Sequence, residues 1–240
     1  MALHLTIDRG NTMTKIALWD GAEPVVVRQI VKATTGKIFP LLAGYDIDRA
    51  ILCSVAGGFD GLALRLRRRG IRMVTLRAQM PLPLKINYAR PDLLGPDRIA
   101  AAVGASTLFP GREILVADLG TAATYDLVTA DGTFAGGNIA PGVGMRLRAL
   151  NSFTARLPLV NASGEIPLWG YSTDTALRSG AVRGVCAEIA YYRAKLSSDA
   201  LTVLTGGWGA EVAKMLDFDV IVNDNLVLTG LNSILQYNEI

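Results

Sequence analysis

The stretch Asp8-Arg9-Gly10-Asn11-Thr12-Met13-Thr14-Lys15 returns in altered form as Asp118-Leu119-Gly120-Thr121-Ala122-Ala123-Thr124-Tyr125. Asp, Gly and Thr align at an offset of 110 residues (118 minus 8). Each copy follows an apolar run, Leu3 to Ile7 and Ile114 to Ala117, and each leads into a second run that ends at an Asp-Gly turn, Asp20-Gly21 and Asp131-Gly132. The chain must therefore fold into something that contains two strand–tight turn–strand units. Glycine at such a bend permits positive φ and close backbone approach to a ligand. Consecutive N–H groups there form a concave anion site. Threonine and asparagine add donors, and Lys15 adds a point charge. Asp8 and Asp118 would repel phosphates directly, but they fit a hydrated Mg²⁺ or a monovalent cation held between protein and phosphate. A single Asp-x-Gly-x-Thr is ordinary hairpin punctuation. Two copies in matching contexts point to a nucleotide.

Other chemistries are excluded by what the chain lacks. It has one histidine, His4, at the start of the first expected strand, so a Ser-His-Asp triad or a Cys/His zinc site has almost nothing to be built from. His4 reads as structural. Neither Gly-x-x-x-x-Gly-Lys-Ser/Thr nor Gly-x-Gly-x-x-Gly occurs; Gly36-Lys37 is followed by Ile38. A net charge of +3 is too small to argue for nucleic acid. The Arg65, Arg67, Arg68, Arg69 and Arg72 cluster lies just before or beyond Gly70 without interleaved aromatics, and reads as a solvated helix end. No run of 18 apolar residues appears, so no membrane span is expected. Neither is a signal peptide, because no extended apolar segment precedes Asp8. Cys53 and Cys186 lie in apolar patterns and read as buried free thiols of a reducing cytoplasm.

Half of the 240 residues are hydrophobic, enough for one large core or two smaller ones. Patterning predicts strands at 2–8, 13–20 and 24–31, a short helix at 35–43, a strand at 49–55, a helix at 59–69 and a strand at 71–76. A proline-punctuated loop from Pro81 to Pro91 leads to a helix at 95–109. Strands follow at 113–118, 123–130 and 133–139, then a helix at 142–150 after Pro141-Gly142. A long helix is predicted over 173–196, where Leu177, Ala181, Val185 and Ile189 form a ladder at i+4 spacing. A strand at 201–205, a helix at 209–216, a strand at 219–222 and a helix at 225–237 complete the chain. Three meandering strands followed by alternating helices and strands, twice over, make an α/β duplication. The lobes would be 1–110 and 111–240, with at most a hinge near Pro110-Gly111.

Taken together, Asp8-x-Gly-Asn-Thr-x-x-Lys15, Tyr88, Gly95-Pro96-Asp97-Arg98, Asp118-x-Gly-Thr-Ala-x-Thr-x-Asp126, Gly136-Gly137-x-Ile-x-Pro-Gly142 and Thr205-Gly206-Gly207 resemble the type III pantothenate kinase family over nearly the whole length. The family belongs to the actin, hexokinase and heat-shock-ATPase superfamily. The resemblance implies an α/β fold of two duplicated ribonuclease-H-like lobes (the actin-like ATPase fold) facing a central cleft. It implies transfer of the ATP γ-phosphoryl group to pantothenate, giving 4'-phosphopantothenate, the first step of coenzyme A biosynthesis.

By that resemblance Asp8, Arg9, Gly10, Asn11, Thr12, Met13, Thr14, Lys15 and Thr121 hold the ATP phosphates, and Gly206 and Gly207 lie against the adenosine. Asp118 binds a monovalent cation, K⁺ or NH₄⁺, alongside Mg²⁺. Asp97 accepts the proton, and Tyr88, Gly95, Pro96, Asp97, Arg98 and Thr173 surround pantothenate. A cytoplasmic homodimer is implied, with the substrate pocket close to the partner subunit and no nucleic-acid partner.

The residues themselves leave alternatives open. Gly-Pro-Asp-Arg also reads as a helix N-terminus. Gly136-Gly137 and Thr205-Gly206-Gly207 also read as bends at strand ends. Arg98 suits a ligand carboxylate, which it can grip with two parallel hydrogen bonds; alone, an Arg after an Asp is more often at the surface. Arg9 departs from the family's usual small or apolar residue, and is expected to point to solvent on the alternate face of its strand. A non-enzymatic transcriptional accessory factor, or another kinase or ATPase of the superfamily, is the alternative function.

Overall fold

The computed structural model describes residues 2–54 and 60–238. Val55 and Phe59, expected to end one strand and begin the next helix, lie outside the described residues. The chain forms two compact units. The first comprises Met1–Gly111, Asp131–Ala135 and Asn225–Ile240; the second comprises Arg112–Ala130 and Gly136–Asp224.

In chain order the elements are β1 (Leu3–Arg9), β2 (Met13–Asp20), β3 (Glu23–Val31), α1 (Thr35–Ile38), β4 (Ile47–Ser54), α2 (Asp60–Arg68), β5 (Arg72–Thr75), β6 (Lys85–Ile86) and α3 (Pro96–Leu108). There follow β7 (Ile114–Leu119), β8 (Ala122–Val128), β9 (Thr133–Pro141), α4 (Val143–Phe153), α5 (Thr173–Arg193), β10 (Leu201–Thr205), α6 (Gly209–Ala213), β11 (Ile221–Val222) and α7 (Leu226–Tyr237).

The duplication is explicit in the sheets. One has the order β3-β2-β1-β4-β5; the other contains β9-β8-β7-β10-β11, the same order with each strand replaced by its counterpart. β1 runs antiparallel to β2 and parallel to β4, as β7 does to β8 and β10. β4–β5 and β10–β11 are both parallel. Strands buried on both faces read as continuous apolar runs, which is why Ile51-Leu52-Cys53 and Ile114-Leu115-Val116-Ala117 lack alternation.

In the first unit Leu5, Ile7, Ile16 and Leu18 pack with Leu62 and Leu66 of α2. That helix ends in a glycine cap: Gly70 has φ +79 and its N–H donates to the Arg67 carbonyl (2.9 Å). Arg65 and Arg69 lie over the Phe39 ring at 5.4 and 4.3 Å, as a helix-end arginine cluster can. The expected helix at 35–43 is a single α turn followed by a 3-10 turn, Phe39–Leu42, because Pro40 supplies no N–H for a further α bond. β6 lies within the expected loop; two residues paired parallel with β9 leave no periodic signature of their own.

α3 packs against α7 at backbone contact. A Cβ on Gly104 would lie 2.3 Å from the Leu226 carbonyl oxygen, and one on Gly230 1.8 Å from that of Ala100. The small face of α3, with Ala100, Ala101 and Ala105 buried, exists for this approach. α7 also anchors the β2–β3 turn. Asn232 and Gln236 donate to the Gly21 carbonyl (2.8 and 2.6 Å), and His4 is buried with its Nδ1 3.2 Å from Asn232 Oδ1. His4 is thus a hydrogen-bonded core residue.

In the second unit the expected ladder of α5 faces inward: Leu177, Ala181, Val185 and Ile189 pack with Leu115, Ala117, Tyr125 and Leu204. Both cysteines are buried free thiols.

Candidate active site

The first bend closes β1 onto β2. Asp8 pairs with Lys15 and Arg9 with Thr14, so carboxylate and ammonium stem share one face of the hairpin. The Gly10 N–H donates to the Met13 carbonyl (3.0 Å), leaving Asn11 and Thr12 exposed at the tip. Thr14 is buried, on the face it shares with Arg9. Arg9 is half-buried and engaged, beside Ser54 in the β1–β4 register, rather than extended into solvent as expected.

The second bend closes β7 onto β8 and is one residue shorter. Leu119 pairs with Ala123 and Asp118 with Thr124, and the Gly120 N–H donates to the Ala122 carbonyl (3.0 Å). The offset of 110 therefore holds for Asp and Gly but not for Thr. A one-residue slip flips faces, so the counterpart of Lys15 across from the aspartate is Thr124, and the second bend has no matching cation. A further correction concerns the glycines. Neither Gly10 nor Gly120 lies at positive φ; a Cβ on Gly10 would sit 3.2 Å from the Met13 carbonyl oxygen, and one on Gly120 3.6 Å from that of Ala122. Tight closure, not left-handed geometry, favours glycine at position 10.

Two segments buttress the second bend within its unit. Gly206, at φ +85, lies so close to Asp118 that a Cβ would come 2.5 Å from Asp118 Oδ1 and 2.6 Å from the Leu119 carbonyl carbon. The Trp208 N–H donates to the Leu119 carbonyl (3.1 Å). From the other side the Gly142 N–H donates to the Thr121 carbonyl (3.2 Å), and a Cβ there would sit 2.3 Å from the Gly120 oxygen. Gly137 approaches β8 in the same way: its Cβ would lie 2.0 Å from Oδ1 of Asp126, a carboxylate only 1% exposed. These glycines are required by protein-to-protein approach. Gly207 is different. It is exposed, and a Cβ would meet nothing within 4 Å. Gly206→Ala is expected to lower Tm by several degrees, since an off-region, clashing Cβ costs on the order of 1–3 kcal/mol. Gly207→Ala is expected to leave Tm unchanged and to raise the KM for ATP. Thermal melts and ATP titrations of the two variants check both.

Asp118 is half-buried at the end of β7. Among the described residues no group of three or more His, Cys, Asp or Glu is placed to hold a metal ion. A lone carboxylate is the kind of ligand that a hydrated cation shared with a phosphate can use.

A second constellation lies in the first unit. Gly95 caps α3, Pro96 takes its first position, and Asp97 follows in the first turn. Asp97 Oδ1 accepts the Arg98 N–H (2.9 Å), and Gly95 leaves the room this needs, because a Cβ would sit 2.6 Å from that oxygen. Arg98 is only 5% exposed. Its guanidinium carbon is 5.9 Å from the centre of the Tyr88 ring and 5.5 Å from that of Phe134, and the two rings meet edge-on at 6.1 Å. The Asn87 N–H donates to the Phe134 carbonyl (2.9 Å), extending the β6–β9 pairing to the residue before Tyr88. Phe134 had no sequence signal beyond being an aromatic between a turn and a Gly-Gly pair. Burial between the two rings fixes the rotamer of Arg98 and keeps its guanidinium in one place. Asp97 beside it can accept a proton. Thr173 is exposed at the first position of α5, in the second unit, where Ser172 and Thr175 form a capping box.

The family model for type III pantothenate kinase matches residues 4–195. A type III pantothenate kinase of Phocaeicola vulgatus is 39% identical over 240 residues, covering 99% of each chain. Among solved structures, one described as a Baf family transcriptional activator from Campylobacter jejuni has a TM-score of 0.63 at 20% identity, covering 98% of both chains. One described as a 2-dehydro-3-deoxygalactonokinase from Sinorhizobium meliloti has 0.60 at 15% identity, again covering 98% of both. At those identities the structures speak for the fold, which is that of the actin-like ATPases and sugar kinases.

Proposed function

Because the chain belongs to the type III pantothenate kinase family, we propose that it transfers the γ-phosphoryl group of ATP to the primary hydroxyl of pantothenate, the first step toward coenzyme A. The observation that carries this reading is the pairing of Arg98, seated against Tyr88 and Phe134, with Asp97 next to it. Pantothenate is a carboxylate that also carries a hydroxyl, and a guanidinium beside a carboxylate base is the chemistry that would recognise the one and deprotonate the other.

Phosphoryl transfer needs positioning and charge neutralisation more than covalent help. Asp97 takes the proton of the attacking hydroxyl. Arg98 fixes the carboxylate end of the substrate, and Tyr88, Gly95 and Pro96 shape its surroundings. Asp8 to Lys15 are the ATP-phosphate ligands of the first unit, and Lys15 supplies their positive charge. Thr121, Gly206 and Gly207 are the ATP ligands of the second. Asp118 would hold K⁺ or NH₄⁺, and Mg²⁺ on the nucleotide would screen phosphate charge from the aspartates. The repeats 1–110 and 111–240 are, on this reading, the ancestral lobes, each with one Asp-x-Gly bend.

Large apolar side chains are exposed at the end of α4 and on the segment that leads to α5: Phe153 at 88%, Trp169 at 83% and Tyr171 at 73%. These side chains are candidates for an interaction surface, and a second copy of the chain is its proposed occupant. No helix among the described residues is long and apolar enough to cross a membrane. The two buried free thiols support a cytoplasmic enzyme. The presence of Asp8, Asp97 and Asp118 argues against a non-catalytic accessory factor.

A coupled assay of ADP release tests the proposal. ADP should form only with pantothenate present, and faster with K⁺ or NH₄⁺ than with Na⁺. ADP release that ignores pantothenate, or that responds instead to a sugar, would assign the site to another kinase or ATPase of the superfamily.

A further inference from the structure

The second bend is held by a path of contacts that leads away from it. Pro141 and Gly142 link β9 to α4, and Gly142 supports the bend through the Thr121 carbonyl. The carbonyl of Pro141 accepts Nε of Arg146, one turn into α4, at 2.7 Å. One terminal nitrogen of the same guanidinium reaches both carboxylate oxygens of Glu188 on α5, at 2.6 Å each. Glu188 also accepts the Tyr125 hydroxyl (2.6 Å). Burial first, and Glu188 second, hold that phenol above its ordinary pKa, so it remains a donor. Gly184 on α5 makes room for the arginine, since a Cβ there would lie 2.9 Å from the other terminal nitrogen. α5 is the longest helix described, and its inner face is fixed in the core of the unit. It is a rigid anchor for the link.

We infer that Arg146, braced by Glu188, is a positioning residue for the second nucleotide-gripping bend: it clamps the Pro141–Gly142 link so that the backbone at Gly120 and Thr121 is set for the ATP phosphates. The inference rests on the reading of that bend as an ATP ligand. An ammonium in place of the guanidinium lacks the planar fork that serves Pro141 and Glu188 together. The clamp therefore demands arginine. Its effect is directed at the nucleotide side, because the substrate-side residues Tyr88, Asp97 and Arg98 belong to the other unit and Thr173 starts α5 about four turns before Glu188.

The experiment is steady-state kinetics with both substrates varied, alongside thermal melts, on Arg146→Ala, Arg146→Lys and Glu188→Gln. Arg183→Ala serves as comparison, because Arg183 donates from the same helix to the Pro167 and Ile166 carbonyls (2.9 and 3.0 Å) and has no part in the clamp. Arg146→Ala and Arg146→Lys are expected to raise the KM for ATP about tenfold or more while the KM for pantothenate moves by less than about twofold, since misplacement on the order of an ångström is felt this strongly at a preorganised site. Glu188→Gln is expected to show the same split at smaller size. Arg183→Ala is expected to change Tm without that split. An unchanged KM for ATP in folded Arg146→Ala and Arg146→Lys overturns the inference. Gly142→Ala, or Thr121→Val where that variant does not fold, separates the two levels. If it raises the KM for ATP and the Arg146 variants do not, the positioning role alone is lost. If neither moves it, the bend is not a nucleotide ligand and the reading beneath the inference fails with it.

Discussion

Replacing Asp97 with Asn is expected to leave a folded protein whose kcat falls by about 10²–10⁴-fold, the usual contribution of a general base. The fold should survive for a specific reason. Asp97 Oδ1 accepts the Arg98 N–H at 2.9 Å, and an asparagine oxygen can accept the same bond, so the first turn of α3 keeps its arrangement. The buried side chains behind it, Ile99 and Val103, are untouched. Only the ability to take a proton is removed. Rapid-quench or coupled kinetics measure the loss, and a thermal melt beside the parent protein verifies the fold. Full activity in Asp97→Asn would remove the residue as base and return Gly-Pro-Asp-Arg to the role of a helix N-terminus.

The second large effect concerns Arg98. Arg98→Met keeps an unbranched stem to fill the space beside Tyr88 and Phe134 and removes the guanidinium. Hydrogen bonds to charged groups contribute about 1.5–3 kcal/mol each. Loss of two from a bidentate grip should raise the KM for pantothenate by at least roughly a hundredfold, at about 1.4 kcal/mol per factor of ten. The KM for ATP should stay within about twofold, because uniform binding of one substrate is what is lost. The preference for pantothenate over an uncharged amide or alcohol analogue should vanish in the same variant. A pantothenate KM that does not move would show that Arg98 is packing, with its charge satisfied inside the protein.

The fold was largely legible because its strands are long and apolar and its helices carry clear punctuation. Asp-Gly turns, Pro96 at the start of α3 and the Leu177-Ala181-Val185-Ile189 ladder each reflect local chemistry that tertiary packing does not override. What stayed hidden depends on partners distant in sequence. The β6–β9 pairing engages Lys85 and Ile86, which no periodicity marks. The contact of α3 with α7 rests on Gly104 and Gly230, which in sequence look like weak points in helices.

The candidate site shows the same division. The Asp-x-Gly repeat led to both bends, yet the turn length that sets Lys15 opposite Asp8 and Thr124 opposite Asp118 depends on strand register, invisible in the alignment of letters. Gly206 and Gly207 are the same residue in sequence and differ in backbone conformation and in what surrounds them. Arg98 reads as a surface residue until Tyr88 and Phe134 are brought to it. Arg146 and Glu188 carried no motif at all, since their meaning lies in a contact across 42 residues of chain.

The most direct measurement of the central claim is identification of the product by mass spectrometry after the purified protein is incubated with ATP, Mg²⁺, K⁺ and pantothenate. Pantothenate carrying one added phosphoryl group, formed in equal amount to ADP, is the result predicted. ADP accumulating while pantothenate remains unmodified would contradict it.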